Sequence, residues 1–164
     1  MNIYRKSIIF ALVLFVLDAL VLNQGFIAIL LLVIVSPAML IRAFNKRKDK
    51  YVLRKYIIST TIYISTAILV LFANYLNNSI AENRAGKIIK ACEEYRVKYG
   101  AYPNTLSDLT PGFLQNVPYA KYVIYFNRFD YHIFENKHSL TYTSIPPFER
   151  KIYNFEENEW ICID

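Results

Sequence analysis

The stretch from Ile57 to Pro118 constrains this chain more than any other. Residues 57–76 carry no charge. As a helix they rise about 30 Å, which matches the hydrocarbon core of a bilayer. An amphipathic stretch follows and runs to Gly100. Then comes Tyr102-Pro103-Asn104-Thr105-Leu106-Ser107-Asp108-Leu109, a turn and a short helical segment. A chain built this way ties an apolar anchor to a small folded unit by one helix.

The amphipathic part is explicit. Ala81, Ala85, Ile88, Cys92, Tyr95 and Tyr99 recur at three- and four-residue steps, which places them on one helix face. Glu82, Arg84, Lys87, Lys90, Glu94 and Lys98 occupy the opposite side. The expectation is a continuous helix over 57–99, capped at Gly100. A short turn of helix is expected at 105–109, with a capping residue at its start.

A second apolar stretch, 7–41, is interrupted only by Asp18. As one helix it would rise about 52 Å, too long for a single upright span. Asn23-Gln24-Gly25 supplies a break. The expectation is a hairpin of two short spans, 7–23 and 25–41, with one long tilted span as the alternative. With 57–76 this makes three transmembrane helices. Pro37 is read as a tolerated kink. Asp18 is the candidate intramembrane polar site, because a carboxylate at the centre of a span costs about 2.5–3.5 kcal/mol. It also lies close enough to the turn for its side chain to reach the interface.

The net charge of +6 is unevenly placed. Arg5 and Lys6 supply +2, and residues 42–55 hold seven basic side chains against Asp49 alone, giving +6. Asp18 supplies −1. Residues 77–164 hold ten basic and eleven acidic side chains, −1 in all. The basic excess therefore flanks the apolar stretches, where Lys and Arg mark the cytoplasmic side. The expected location is a bacterial inner membrane, with a cytoplasmic N-terminus and an extracytoplasmic C-terminal part. The weakly acidic C-terminal part has no field for phosphates, so no nucleic-acid partner is expected. The expected division is 1–56, a transmembrane hairpin with its basic loop at 42–56; 57–99, the third span and its amphipathic extension; and 100–164, a β-rich unit.

Beyond Lys121, runs rich in aromatic and β-branched residues read as strands: 122–127, 131–135, 140–145, 151–155 and 160–163. Pro146-Pro147 ends the third of these, and Glu156-Glu157-Asn158-Glu159 reads as a hairpin turn. The expectation is an antiparallel sheet of three to five strands, which the apolar helix stripe needs in order to be buried.

Residues 88–103, Ile-Ile-Lys-Ala-Cys-Glu-Glu-Tyr-Arg-Val-Lys-Tyr-Gly-Ala-Tyr-Pro, followed by Leu106-Ser107-Asp108-Leu109, resemble the type IV pilins and type II secretion pseudopilins. The likeness covers about 57–126. It implies a pilin-like α+β fold, in which a long helix leaves the membrane and packs on a small antiparallel sheet. The prepilin cleavage motif is missing ahead of Ile57. Gly25-Phe26 has the form of the cut pair, but Leu30 stands where the family carries Glu. The likeness therefore implies a fold more than polymerisation. Some pseudopilins bind calcium near the C-terminus, but Glu156, Glu157 and Glu159 are spaced as a solvated turn.

Candidate chemistry is sparse. Cys92 and Cys162 form a candidate disulfide, since both lie on expected buried faces; two separate thiols are the alternative. His132 and His138 lack companion ligands for a zinc site. No cofactor, metal, catalytic residue or small-molecule substrate is evident. The 14 tyrosines are the unusual resource, and Tyr119, Tyr125 and Tyr142 are the candidate interaction face. The expected partners are the lipid bilayer and a protein in the membrane or periplasm. The expected role is a non-enzymatic binding module, an accessory of a pilus, secretion or envelope complex. The alternative is an immunity or toxin-partner protein acting through its transmembrane helices.

Overall fold

The computed structural model describes residues 2–163, with side chains described from Tyr4. The chain divides into two compact units, Met1–Tyr75 and Leu76–Asp164. One helix contributes to both.

In the first unit, α1 (Asn2–Phe15) runs on into wider π-helical turns, Val16–Leu22. Asn23 and Gly25 both take left-handed backbone angles, φ 53° and 72°, and reverse the chain. The second limb comprises α2 (Phe26–Leu30), a π-helical stretch (Leu31–Val35) and α3 (Ser36–Asn45). The wide turns precede Pro37, whose ring disrupts regular helical bonding. Ser36 Oγ donates to the Leu31 carbonyl at 2.7 Å and so satisfies one acceptor there. The break expected at Asn23-Gln24-Gly25 is present. The basic turn then leads into α4 (Lys50–Tyr99). Asp49, the acidic residue of that loop, accepts the Tyr51 and Val52 N–H groups at 3.0 and 3.1 Å and starts α4.

Ala19, Ala28 and Ala67 are at most 1% exposed, beside Leu14, Leu31 and Val70. Small side chains let helix backbones approach closely, the usual solution in a membrane. Among the described residues, two helices are long and apolar enough to cross a membrane, Phe26–Asn45 (mean hydropathy 2.5) and Lys50–Tyr99 (1.9). Both apolar windows are largely unburied within the fold. This corrects the expectation of three spans. The helical stretch ahead of Asn23 carries Arg5, Lys6 and Asp18 and does not qualify.

Gly25 is held from two sides. A Cβ there would lie 3.2 Å from both Asn74 Nδ2 and Leu71 Cδ2, on a backbone that L side chains rarely adopt. Gly25→Ala is therefore expected to destabilise the hairpin by about 1–3 kcal/mol. Thermal unfolding of the full chain in detergent measures this. Gly86→Ala is the control: nothing lies within 4 Å of its Cβ position, so the melting temperature should hold or rise.

In the second unit, α4 packs on four antiparallel strands in the order β1 (Asp130–Phe134), β2 (Lys137–Ile145), β3 (Glu149–Asn154), β4 (Glu159–Ile163). The long helix on a small antiparallel sheet is pilin-like in shape. Ala81, Ala85, Ile88 and Cys92 are fully buried, as the stripe predicts, against Leu140, Tyr142, Tyr153 and Phe155. Tyr95 is partly buried, and Tyr99 is 58% exposed because the stripe outruns the sheet. Gly100 takes φ 83°, and its N–H bonds the Arg96 carbonyl. The short helix Leu106–Leu109 has a capping box: Thr105 N–H donates to Asp108 at 2.8 Å, and the Asp108 N–H bonds the Thr105 side chain.

One expected strand does not form. Residues 122–127 lie outside the sheet. Phe126 has φ 56°, the Ala120 N–H bonds the Asn127 carbonyl at 2.6 Å, and Asn127 Nδ2 donates to the Val123 carbonyl at 3.0 Å. The segment closes on itself, so its backbone groups are not free for a ladder.

Candidate functional site

The folded-back segment 119–126 alternates anchors with exposed side chains. Ala120, Lys121 and Val123 are buried, whereas Tyr119, Tyr122, Ile124, Tyr125 and Phe126 are 46–64% exposed. Contacts from α4 anchor the segment. Arg84 on α4 donates from Nη1 to the Tyr119 carbonyl at 2.9 Å. Its Nη2 donates to the Tyr122 hydroxyl, and its Cζ lies 4.2 Å above the Tyr122 ring. The Tyr122 N–H reaches Asn77 Oδ1 at 3.4 Å.

Lys121 is the least expected anchor. It is 1% exposed, and its Nζ donates to the Ser144 carbonyl at 2.6 Å. Burial, opposed in part by Glu149 and aided by Lys151, lowers its pKa to about 8. Its backbone position holds Tyr119 and Tyr122 outward on either side.

The expected interaction face is thus only partly assembled. Tyr119 and Tyr125 are on the exposed surface. Tyr142 is not: it is 1% exposed, in the core. The correction follows from register. Tyr142 sits on central strand β2, opposite Lys151 of β3, and points at α4. Tyr122, Ile124 and Phe126 complete the exposed group. Their signal in the sequence was the same aromatic run, read as a strand.

The candidate disulfide is also corrected. Cys92 and Cys162 are both free; Cys92 is buried and Cys162 exposed. Cys162 pairs in register with Lys151 and lines the same cleft as Glu82 and Gly86. Gly86 lies six residues before Cys92, about 9 Å along the helix axis, beyond the Cα separation a disulfide spans. Burial, reinforced by Glu93, pushes the Cys92 thiol up to about 12 and leaves it inert.

Asp18 is 1% exposed and is engaged by backbone. Its Oδ1 accepts the Gly25 and Gln24 N–H groups at 2.7 and 3.2 Å, and its Oδ2 accepts the Ala28 N–H at 3.2 Å. It caps the second limb of the hairpin.

Several other ionisable groups of the C-terminal unit form pairs. Glu156 accepts from the His138 backbone N–H and lies 2.8 Å from His138 Nδ1. Burial alone would raise its pKa, but those bonds bring it below the ordinary carboxylate value. Glu157 pairs with Lys137 at 3.3 Å, and Glu82 pairs with Lys151. Among the described residues no cluster of three or more His, Cys, Asp or Glu is placed to hold a metal.

The architecture, membrane-length helices joined to a compact sheet unit, is consistent with a membrane protein carrying an extracytoplasmic domain. No family model, characterised protein or solved structure matches the chain.

Proposed function

We propose that this chain is a non-enzymatic, membrane-anchored module that binds another protein through the aromatic surface of 119–126. The observation that carries this reading is the exposure of five large side chains on a loop braced by Arg84 and Asn77. A braced aromatic surface loses little conformational entropy on binding, which favours affinity. The basic residues at 42–55 support an inner-membrane location with the C-terminal unit outside the cytoplasm. The pilin-like shape supports an accessory role in a pilus, secretion or envelope complex.

A photo-crosslinking residue at Tyr125, introduced in intact cells, tests this. It is expected to give one discrete protein adduct, and the same residue at Lys90, on the exposed side of α4, none. Tyr119→Ala should reduce the adduct about tenfold, the scale of a modest hot spot. Equal labelling from both positions would overturn the reading. An alkaline-phosphatase fusion after residue 78 should be active; an inactive fusion would reverse the topology.

A further inference from the structure

In the C-terminal unit, α4 and the edge of the sheet do not close on each other. A cleft of about 370 Å³ lies between them, lined by Glu82, Gly86, Tyr142, Lys151, Trp160 and Cys162. That volume falls within the range of small-molecule sites. Three observations define what it takes. Gly86 interrupts the side chains of α4 here, and no atom lies within 4 Å of its Cβ position. Trp160 forms an aromatic wall, with its ring 5.8 Å from Tyr142 and 5.2 Å from Tyr153, yet it is 41% exposed. The Tyr142 residue is 1% exposed, and its buried hydroxyl has no hydrogen-bond partner in the protein.

We propose that this cleft binds a small, neutral aromatic molecule carrying a carbonyl-type acceptor, its ring against Trp160 over Gly86 and its acceptor bonded to the Tyr142 hydroxyl. The hydroxyl is closed to solvent in the empty cleft, so the ligand must displace the lining to bare it; an orphaned buried hydroxyl is costly, and the incoming acceptor removes that cost. Burial, and then the charge of Glu82, hold the Tyr142 phenol above its ordinary pKa, so it remains a donor. The one ion pair of the lining, Lys151 with Glu82, is internally compensated and supplies no net charge to attract an ion.

The single tryptophan and the exposed Cys162 are built-in reporters. The full chain in detergent is titrated with 2-acetonaphthone, a flat neutral ketone. Saturable quenching of Trp160 and slower alkylation of Cys162 by iodoacetamide, by about tenfold at saturation, are expected. Tyr142→Phe should weaken binding about fivefold, the scale of one hydrogen bond. In the wild type, 2-ethylnaphthalene, which lacks the carbonyl, should bind weaker by a similar factor. Gly86→Leu fills the cleft and should abolish both signals. Quenching that fails to saturate, equal binding of the two naphthalenes, or an affinity unchanged by Tyr142→Phe would each overturn the proposal.

Discussion

Lys121→Met is expected to stabilise the C-terminal unit at pH 7 and to flatten its stability between pH 8 and 10. Lys121 is 1% exposed, and its ammonium is bonded to one neutral carbonyl, that of Ser144. Its folded pKa of about 8 lies below the ordinary 10.5. Below pH 8 both folded and unfolded chains hold the proton, and the folded chain bears the whole cost of the buried charge. Between pH 8 and 10.5 the folded chain releases the proton first. The unfolded chain then binds more protons, so stability rises with pH. The shift corresponds to about 3 kcal/mol. Tyr131 and Tyr142, raised above the usual tyrosine value chiefly by burial, act oppositely above pH 10, where the unfolded chain ionises first. The wild-type profile should therefore climb from pH 8, peak near pH 10 and fall beyond. Methionine fills similar space without charge. After loss of the Ser144 bond, which involves a charged group and is worth about 1.5–3 kcal/mol, the variant should gain up to about 1.5 kcal/mol at pH 7. Urea unfolding from pH 6 to 11 measures both curves. A wild-type curve flat from pH 8 to 10 would show that the buried ammonium costs nothing.

Lys121 also marks where the sequence stops being legible. The α4 stripe, the Gly100 cap, the Thr105 capping box and the Glu156–Asn158 turn all follow from local spacing, and local spacing is what periodicity reports. The run 119–126 has strand composition, but its backbone bonds are decided by Asn127, Arg84 and Asn77, the last two about forty residues away. Composition carries no trace of those partners. Tyr142 failed as a surface residue for a related reason. Alternation along β2 gives two faces, and only the register with Lys151 and the position of α4 decide which is inside. For the cysteines, Cys162 lies on the same sheet face as Tyr142 and Lys151, toward α4, but it lines the cleft with Gly86, six residues of α4 before Cys92. The cleft itself is invisible in sequence, because it is defined by the side chain that Gly86 lacks.

Asp18→Ala is expected to undock the N-terminal hairpin. A capping acceptor is sought in the residue next to a helix start, but Asp18 precedes Phe26 by eight positions. It reaches α2 only because the π-helical turns and the left-handed Asn23 fold the chain back over it. Three N–H groups depend on its two oxygens: those of Gln24, Gly25 and Ala28. Each buried donor left without a partner costs about 1–3 kcal/mol, so alanine should cost several kcal/mol in all. Asp18→Asn separates capping from proton chemistry. Asparagine keeps one acceptor for Gly25 and Gln24 but turns an NH₂ toward the Ala28 donor, so a cap is half retained. A carboxylate needed for its ionisation is lost in asparagine as fully as in alanine. The readout is a disulfide between Ser7→Cys and Ser59→Cys in a Cys162→Ser background, since the two hydroxyl oxygens lie 3.0 Å apart. The cross-link should form readily with Asp18, at an intermediate level with asparagine, and weakly with alanine. If alanine cross-links as well as aspartate, the hairpin docks through Ala19, Ala28 and Ala67 alone, and the buried carboxylate is there for another purpose.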